Sequence, residues 1–154
     1  MKIIFLDVDG VLNMYGSSSR TFMKPYGQHI EPHIVKRLNY ICENVQDLKI
    51  VISSSWRSVM EELETQLKEQ GFKYWDSHVI GATPHIRFRG HEIQAWINQN
   101  NFKGTYLVID DEITDICGDY CDAILRENVL QTDSNEGLLH KDAIYVINFF
   151  KEVK

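Results

Sequence analysis

The sequence predicts an α/β fold built around a mostly parallel sheet. Short apolar runs of strand length alternate along the 154 residues with amphipathic segments that have the helical period. Strands that alternate with helices are typical of parallel sheets whose connections are right-handed crossovers. Three of the apolar runs also end in acidic or hydroxyl side chains. Because binding sites of such sheets lie at the carboxyl ends of the strands, we expect a functional site there.

The amino-terminal half is predicted to hold two strands and two helices. The first strand covers residues 2–6, and Pro32, which suits the first helical turn, begins a helix. The second strand covers residues 48–52, and the helix that follows it is closed by Gly71. Between the first strand and the first helix lies the polar loop 13–28, which is rich in glycine and serine. This loop is long for a compact domain, so we expect it to be a functional flap.

The carboxyl-terminal half is predicted to hold three strands and two helices. The strands are predicted at residues 78–80, 106–109 and 123–125. Apolar residues at helical spacing predict one helix around residues 93–97 and a final helix around residues 143–150. The alternation of strand and helix therefore continues to the end of the chain.

The composition is ordinary for a globular domain and limits the function classes. Apolar residues make up 44% of the chain and charged residues 25%, and the formal net charge is −6. We expect one domain spanning residues 1–154 and a cytoplasmic location, because no stretch is long enough to cross a membrane and no signal segment precedes the first strand. The three cysteines are odd in number and lack zinc-ligand spacing, which favours buried free thiols.

The first strand ends in two aspartates, Asp7 and Asp9, which are followed by Gly10. Two carboxylates a few ångströms apart repel each other and shift each other's pKa unless a cation neutralises them. Such a pair suits a nucleophile with its acid/base partner, or two ligands of a hard cation. A solvated turn is the commoner explanation of an isolated Asp-x-Asp-Gly, so the interpretation depends on the other polar strand ends.

The second strand ends in three consecutive serines, residues 53–55, and a helical pattern begins directly after them. Hydroxyls and free backbone N–H groups at a strand-to-helix turn form an anion site. A serine at this place also suits the N-cap of the helix, and the two roles are compatible.

Arginines in the loop before the next helix supply a third polar group. Arg87 and Arg89 are two positions apart, and two such arginines suit a fork that holds a phosphoryl group. The negative net charge argues against a broad nucleic-acid surface, but these arginines and Arg57 form a local basic rim that could receive a phosphate end.

A second acidic pair, Asp110 and Asp111, follows the strand predicted at residues 106–109. With Asp7 these carboxylates could complete an oxygen cage for Mg²⁺, which prefers carboxylates, waters and substrate phosphate as ligands.

The four motifs, in the order Asp-x-Asp, Ser, Arg and Asp-Asp, resemble those of the haloacid dehalogenase (HAD) superfamily of phosphohydrolases. The resemblance spans residues 7–111. A closer resemblance is to the small HAD domains of Swiss Army Knife RNA repair proteins. It is carried by Phe-Leu-Asp-Val-Asp-Gly-Val-Leu-Asn at 5–13, Ser-Ser-Trp-Arg at 54–57, Arg-Gly-x-Glu-Ile-x-x-Trp at 89–96, Ile-Asp-Asp at 109–111, and Thr-Asp followed by Gly-Leu within 132–138.

This resemblance implies a Rossmann-like three-layer sandwich in which the first strand is central, between the second strand and the strand before Asp110. It leaves no room for a large cap domain, because about 20 residues separate Asp9 from Pro32 and 35 positions separate Ser54 from Arg89. An uncovered site suits a large phosphorylated substrate, such as a nucleic-acid end or a phosphoprotein. No membrane and no obligate protein partner are implied.

The resemblance also implies a mechanism at the acidic motifs. Asp7 attacks phosphorus and forms an aspartyl-phosphate, while Asp9 protonates the leaving oxygen and later deprotonates the hydrolytic water. The implied cofactor is Mg²⁺, held by Asp7, by the backbone carbonyl of Asp9, and by Asp110 or Asp111.

Phosphate binding is assigned to Ser54, with a backbone N–H of its turn, and to Arg89. The further candidates for contact with phosphate or substrate are Gly10, Ser53, Ser55, Arg57 and Arg87. Arg57 is equally suited to an ion pair with the acidic cluster. Trp56 suits packing better than base stacking, and Asn13 is a candidate for lining the pocket.

Three other functions are compatible with parts of the sequence. A response-regulator receiver would explain residues 108–112, but only 43 residues follow Asp111, and the Asp7 motif would have no role. A catalytically silent phosphate-binding or interaction module on the same fold is a second alternative, because a fold does not guarantee activity. A phosphatase of small molecules, such as nucleotides or sugars, would use the same residues.

Overall fold

The computed structural model describes residues 1–15 and 29–152. The strands are β1 (Lys2–Leu6), β2 (Leu48–Ile52), β3 (Val79–Ala82), β4 (Thr105–Asp110) and β5 (Val129–Gln131). The helices are α1 (Pro32–Asn44), α2 (Met60–Glu69), α3 (Trp75–His78), α4 (Arg89–Gln99) and α5 (His140–Glu152). Within the described chain the strands form one parallel sheet of five, in the order β3-β2-β1-β4-β5. The predicted α/β fold is confirmed, whereas the predicted flap lies outside the described residues except for 13–15.

The central strand is β1, as the resemblance implies. It pairs in parallel with β2 on one side and with β4 on the other, so that Leu6 lies beside both Ile52 and Ile109. The three strands therefore end at the same level. Whatever side chains follow them are gathered at one edge of the sheet.

Helices cover both faces of the sheet, and alternate residues of β1 are therefore buried in different cores. Ile4 and Leu6 belong to the core shared with α1, α2 and α5, whereas Ile3 and Phe5 belong to the core shared with α4. Phe5 packs edge-on against Trp96 of α4, with 5.5 Å between the ring centroids. Helix, sheet and helix thus form three layers. No helix in the described ranges has the length and apolar character needed to span a membrane.

The prediction of a strand at residues 123–125 is wrong. Those residues form no strand: Ile124 is buried in the core on the α4 side, and Leu125 is 63% exposed. The edge strand is β5, in which Val129 pairs with Val108 of β4. Residues 123–125 and 129–131 are both short segments with apolar residues, so the sequence pattern does not show which of them is the strand. Pairing with β4 determines that it is 129–131.

The strand predicted at residues 78–80 begins one residue later than expected. His78 ends α3, a short helix that the sequence pattern does not predict. β3 then extends to Ala82, and the N–H of Thr83 continues the pairing by donating to the Ile52 carbonyl at 2.9 Å.

Candidate active site

The carboxyl ends of β1, β2 and β4 bring the predicted motifs to one edge of the sheet. Asp7 follows β1 and its N–H donates to the Ile109 carbonyl (3.0 Å), while Ser53 follows β2 and its N–H donates to the Leu6 carbonyl (2.9 Å). Asp110 ends β4. A cleft of about 240 Å³ opens here, which we call the aspartate cleft. Six of its lining side chains are carboxylates: Asp7, Asp9, Asp110, Asp111, Glu112 and Asp115.

Three of these carboxylates form a cluster suited to a divalent cation. Asp7, Asp110 and Asp111 each offer an oxygen, and these oxygens lie within 4.8 Å of one another. Burial raises the pKa of Asp7 to about 6 and raises the pKa of Asp110 well above its ordinary value, because the charged forms lose their hydration. A hard cation would restore the charged forms, and carboxylate oxygens are the ligands that Mg²⁺ prefers. The donor set therefore fits the implied cofactor.

Gly10 allows the loop after β1 to approach this cluster closely. A Cβ atom at Gly10 would lie 2.3 Å from Oδ2 of Asp111, and the backbone there has a φ of +80°, which disfavours other residues. Its carbonyl accepts a hydrogen bond from the hydroxyl of Thr132 (2.9 Å), which follows β5. The position thus requires glycine for both space and backbone conformation.

Among the described residues, Arg89 is the cation that contacts the cluster. It is the first residue of α4, and its Nη1 donates to Oδ1 of Asp7 and to Oδ2 of Asp110, both at 3.2 Å, and to the carbonyl of Ser53. The alternative candidate, Arg87, is exposed, with its guanidinium 4.9 Å from the centre of the Phe88 ring. Of the two, the structure places Arg89 in contact with the predicted nucleophile.

Asp9 is held by two buried donors, one of which sequence reasoning missed. Nδ2 of Asn13 donates to Oδ1 of Asp9 (2.8 Å), and Nε1 of Trp56 donates to Oδ2 (3.1 Å). Asn13 is itself oriented, because its Oδ1 accepts the Gly10 N–H at 2.9 Å. Trp56 is 1% exposed, which fits the predicted packing role, but its indole N–H also fixes Asp9. The only signal for this contact in the sequence is the place of Trp56 directly after the serine run.

The three serines after β2 occupy different environments. Ser55 is exposed and lines the aspartate cleft. Ser54 is 1% exposed and caps the 3₁₀ turn that follows, where its Oγ accepts the Trp56 N–H at 3.4 Å. A hydrogen bond from Ser54 also lowers the pKa of Asp7, against the larger effect of burial. Ser53 is fully buried, and its hydroxyl has no partner among the described residues.

Arg57 forms its ion pair with Glu92 rather than with the aspartate cluster. Its two terminal nitrogens donate to the two carboxylate oxygens of Glu92 at 2.6 and 2.9 Å. The same guanidinium donates to the hydroxyl of Thr83 (3.2 Å) and contacts Nδ1 of His85. Glu92 is 2% exposed, so it requires such a partner, and Arg57 is held in the wall beside the cleft.

A family model described as the HAD domain in Swiss Army Knife RNA repair proteins matches residues 3–143. The chain belongs to this HAD family. The match covers nearly the whole chain, including all four motifs from Asp7 to Asp111, and it confirms the resemblance seen in the sequence. No curated protein and no solved structure matched the sequence. The HAD fold and the carboxylate cluster support a phosphohydrolase of the general HAD type.

Proposed function

We propose that this HAD domain is a Mg²⁺-dependent phosphomonoesterase that works through an aspartyl-phosphate on Asp7. The observation that carries the proposal is the cluster of Asp7, Asp110 and Asp111 at the edge where the parallel strands end. Asp7 and Asp110 are buried and in contact with Arg89, and Asp111 is partly buried beside them. Burying two carboxylates beside a third lowers stability unless cations compensate them, so the cluster favours chemistry over a structural role.

The proposed reaction has two displacements at phosphorus. An oxygen of Asp7 attacks the phosphorus, the bond to the leaving oxygen breaks, and Asp9 donates a proton to that oxygen. Asp9, now a carboxylate, takes a proton from water, whose oxygen attacks the phosphorus and releases phosphate and Asp7. The hydrogen bonds from Asn13 and Trp56 hold Asp9 in one orientation for both steps.

The remaining residues are assigned to charge compensation. Mg²⁺, held by Asp7, the Asp9 carbonyl and Asp110 or Asp111, would neutralise the repulsion between an anionic carboxylate and an anionic phosphate. Arg89 supplies a further positive charge beside Asp7. The remaining groups assigned to the non-transferred oxygens are Ser54 and Ser55, since the N–H of Gly10 donates to Oδ1 of Asn13.

The substrate is proposed to be a phosphorylated nucleic-acid end. The family is described as the HAD domain of RNA repair proteins, which supports this class of substrate. The chain between Ser54 and Arg89 is occupied by a 3₁₀ turn, two helices and the edge strand β3, and holds no cap domain. A large substrate would therefore meet no cap from this segment.

The proposal is tested by hydrolysis of p-nitrophenyl phosphate with and without Mg²⁺. We expect metal-dependent turnover, a phosphorylated wild-type protein detectable by mass spectrometry, and loss of both in Asp7→Asn. Asp47→Asn is the matched control, because Asp47 is exposed and precedes β2 at the opposite edge of the sheet. Metal-independent activity, or an active Asp7→Asn variant, would contradict the proposal.

The substrate class is tested by a panel of phosphate esters. A 3′- or 5′-phosphorylated oligonucleotide should have a higher kcat/KM than mononucleotides or sugar phosphates. Equal or faster hydrolysis of the small esters would assign the protein to small-molecule phosphatases. Tight binding of all esters without turnover would indicate a silent phosphate-binding module.

A further inference from the structure

The aspartate cleft lies between two cavities of opposite charge. The basic cavity, of about 770 Å³, shares Ser55, Arg89 and Asp115 with the cleft. Its basic side chains are Arg57, His85, Arg87 and Arg89, and its acidic side chains are Glu92 and Asp115. The acidic cavity, of about 500 Å³, shares Asp111 with the cleft. Its charged side chains are Asp111, Asp133, Glu136, Lys141 and Asp142.

Of the arginines that line the basic cavity, Arg87 is the one without a carboxylate partner among the described residues. Arg57 is neutralised by the paired hydrogen bonds to Glu92, and Arg89 lies between Asp7 and Asp110. Arg87 is exposed, its guanidinium contacts the Phe88 ring, and no carboxylate lies within ion-pair distance of it in the described part of the chain. Its charge is therefore free to meet an anion from outside the protein.

The wall behind Arg87 is held together by hydrogen bonds to one buried carboxylate, Glu92. Glu92, on the first turn of α4, accepts both hydrogen bonds from Arg57 and also the Ile86 N–H at 3.0 Å. This one buried carboxylate ties the loop before Arg87 to α4 and to the turn after β2. The basic cavity is thus continuous with the cleft, and one of its walls is fixed by these hydrogen bonds.

We propose that the leaving group of the substrate lies in the basic cavity and that Arg87 binds a second phosphate on it. The inference rests on the proposed phosphatase function. Among the described residues, two cavities adjoin the cleft, and a substrate whose phosphoryl group lies at Asp7 could extend into either of them. A second anion placed beside Asp111, Asp133 and Asp142 would be repelled, whereas the same anion beside Arg87 would be attracted.

The ligand chemistry is a phosphomonoester that carries another phosphate on its leaving group. A nucleic-acid strand supplies this as the phosphodiester next to its phosphorylated end. A small bisphosphate supplies it as its second phosphomonoester. Arginine suits either, because its planar guanidinium donates two parallel hydrogen bonds to phosphate oxygens.

The test compares two dinucleotides that have the same terminal phosphate. One has a phosphodiester linkage, and the other has an uncharged methylphosphonate linkage of nearly the same shape. We expect wild type to favour the charged dinucleotide by roughly tenfold in kcat/KM, the size of one hydrogen bond to a charged group. Arg87→Gln should reduce this ratio to about one. Lys141→Gln, on the acidic side, should leave it unchanged.

The outcomes separate this inference from the function on which it rests. If wild type hydrolyses p-nitrophenyl phosphate but shows no preference, or if Arg87→Gln keeps the preference, the inference is overturned and the phosphatase function stands. A selective loss in Lys141→Gln would place the leaving group on the acidic side and overturn it as well. A wild type inactive on every ester would overturn both. A nucleoside bisphosphate, compared with its monophosphate, then shows whether a strand is required for the preference.

Discussion

At the scale of single residues, Asp9 depends on donors that come from two parts of the chain. Asn13 is four residues away and has no exposed surface, and Trp56 lies 47 positions away in the main core. Both donate N–H groups, so neither can accept the proton that Asp9 is proposed to exchange. The orientation of this proposed acid/base group is therefore set by buried side chains that would not themselves enter the reaction.

We predict that Trp56→Phe lowers kcat/KM by a factor that depends on the leaving group of the substrate. The variant keeps an aromatic ring but loses the hydrogen bond to Asp9, so protonation of the leaving oxygen is impaired. For an alkyl phosphate, whose leaving group needs that proton, kcat/KM should fall about 10- to 100-fold. For p-nitrophenyl phosphate, whose leaving group is a stable anion, it should fall less than about threefold.

Trp96→Phe is the matched control, because Trp96 is also buried but lies in the core on the other face of the sheet. Trp96→Phe should change kcat/KM by the same factor for both substrates. If the void left in Trp56→Phe unfolds the protein, replacement of the indole by its benzothiophene analogue removes the N–H at constant shape. Equal losses on both esters would show that Trp56 has only a packing role.

At the scale of elements, the first turn of α4 connects the cleft with its basic side. Arg89 begins the helix and reaches Asp7 and Asp110, and Glu92, three residues later, holds Arg57. The loop after β4 fixes the start of this helix, since Asp115 accepts the N–H of Arg89 through its side chain (3.1 Å). The position of this one helix end therefore sets both the arginine beside the proposed nucleophile and the wall of the basic cavity.

We predict that Glu92→Gln destabilises the protein by about 3 kcal/mol, because it leaves Arg57 as a partly buried charge without its partner. Chemical denaturation measures this as a drop in the free energy of unfolding. Glu64→Gln, which removes a carboxylate from the exposed pair with Lys68 on α2, is the matched control and should change stability much less. A similar effect of the two substitutions would mean that the Arg57–Glu92 pair does not stabilise the fold.

At the scale of the whole molecule, the carboxylate cluster links stability to pH and to metal. Burial raises the pKa of Asp7 from 3.8 to about 6, and the pKa values of Asp110 and Asp111 are raised as well, chiefly by burial. The folded protein then binds more protons than the unfolded chain between about pH 4 and pH 6. The free energy of unfolding therefore falls as pH rises through this window. At neutral pH, the ionisation of Asp7 alone lowers it by on the order of 3 kcal/mol.

We predict that the chelator-treated protein has a higher Tm at pH 5 than at pH 7.5. Mg²⁺ should raise the Tm at pH 7.5 more than at pH 5, because the cation binds the ionised carboxylates. Asp7→Asn should remove much of the pH dependence of the Tm, while Asp47→Asn should retain it. A Tm that rises from pH 5 to pH 7.5 without metal would show that burial does not control these carboxyls.

The sequence pattern by itself determined the fold class and the edge at which the site lies, whereas the central position of the first strand followed from the family resemblance. Apolar periodicity is local, and it records which residues are buried and where a strand gives way to polar side chains. Asp7, the serine run and Asp110 each follow or end such a strand, so their pattern alone places them at one edge of a parallel sheet. The family match over residues 3–143 agrees with that placement.

Only the tertiary structure decided which partners meet. Arg89 rather than Arg87 contacts Asp7, Arg57 pairs with Glu92, and the Trp56 indole reaches Asp9. These contacts join residues 35 to 82 positions apart, and each depends on where a helix begins and how it packs on the sheet. The edge strand was misplaced for the same reason, because β5 is defined by its pairing with β4. Local pattern predicts burial, but the choice of a distant partner is made by packing.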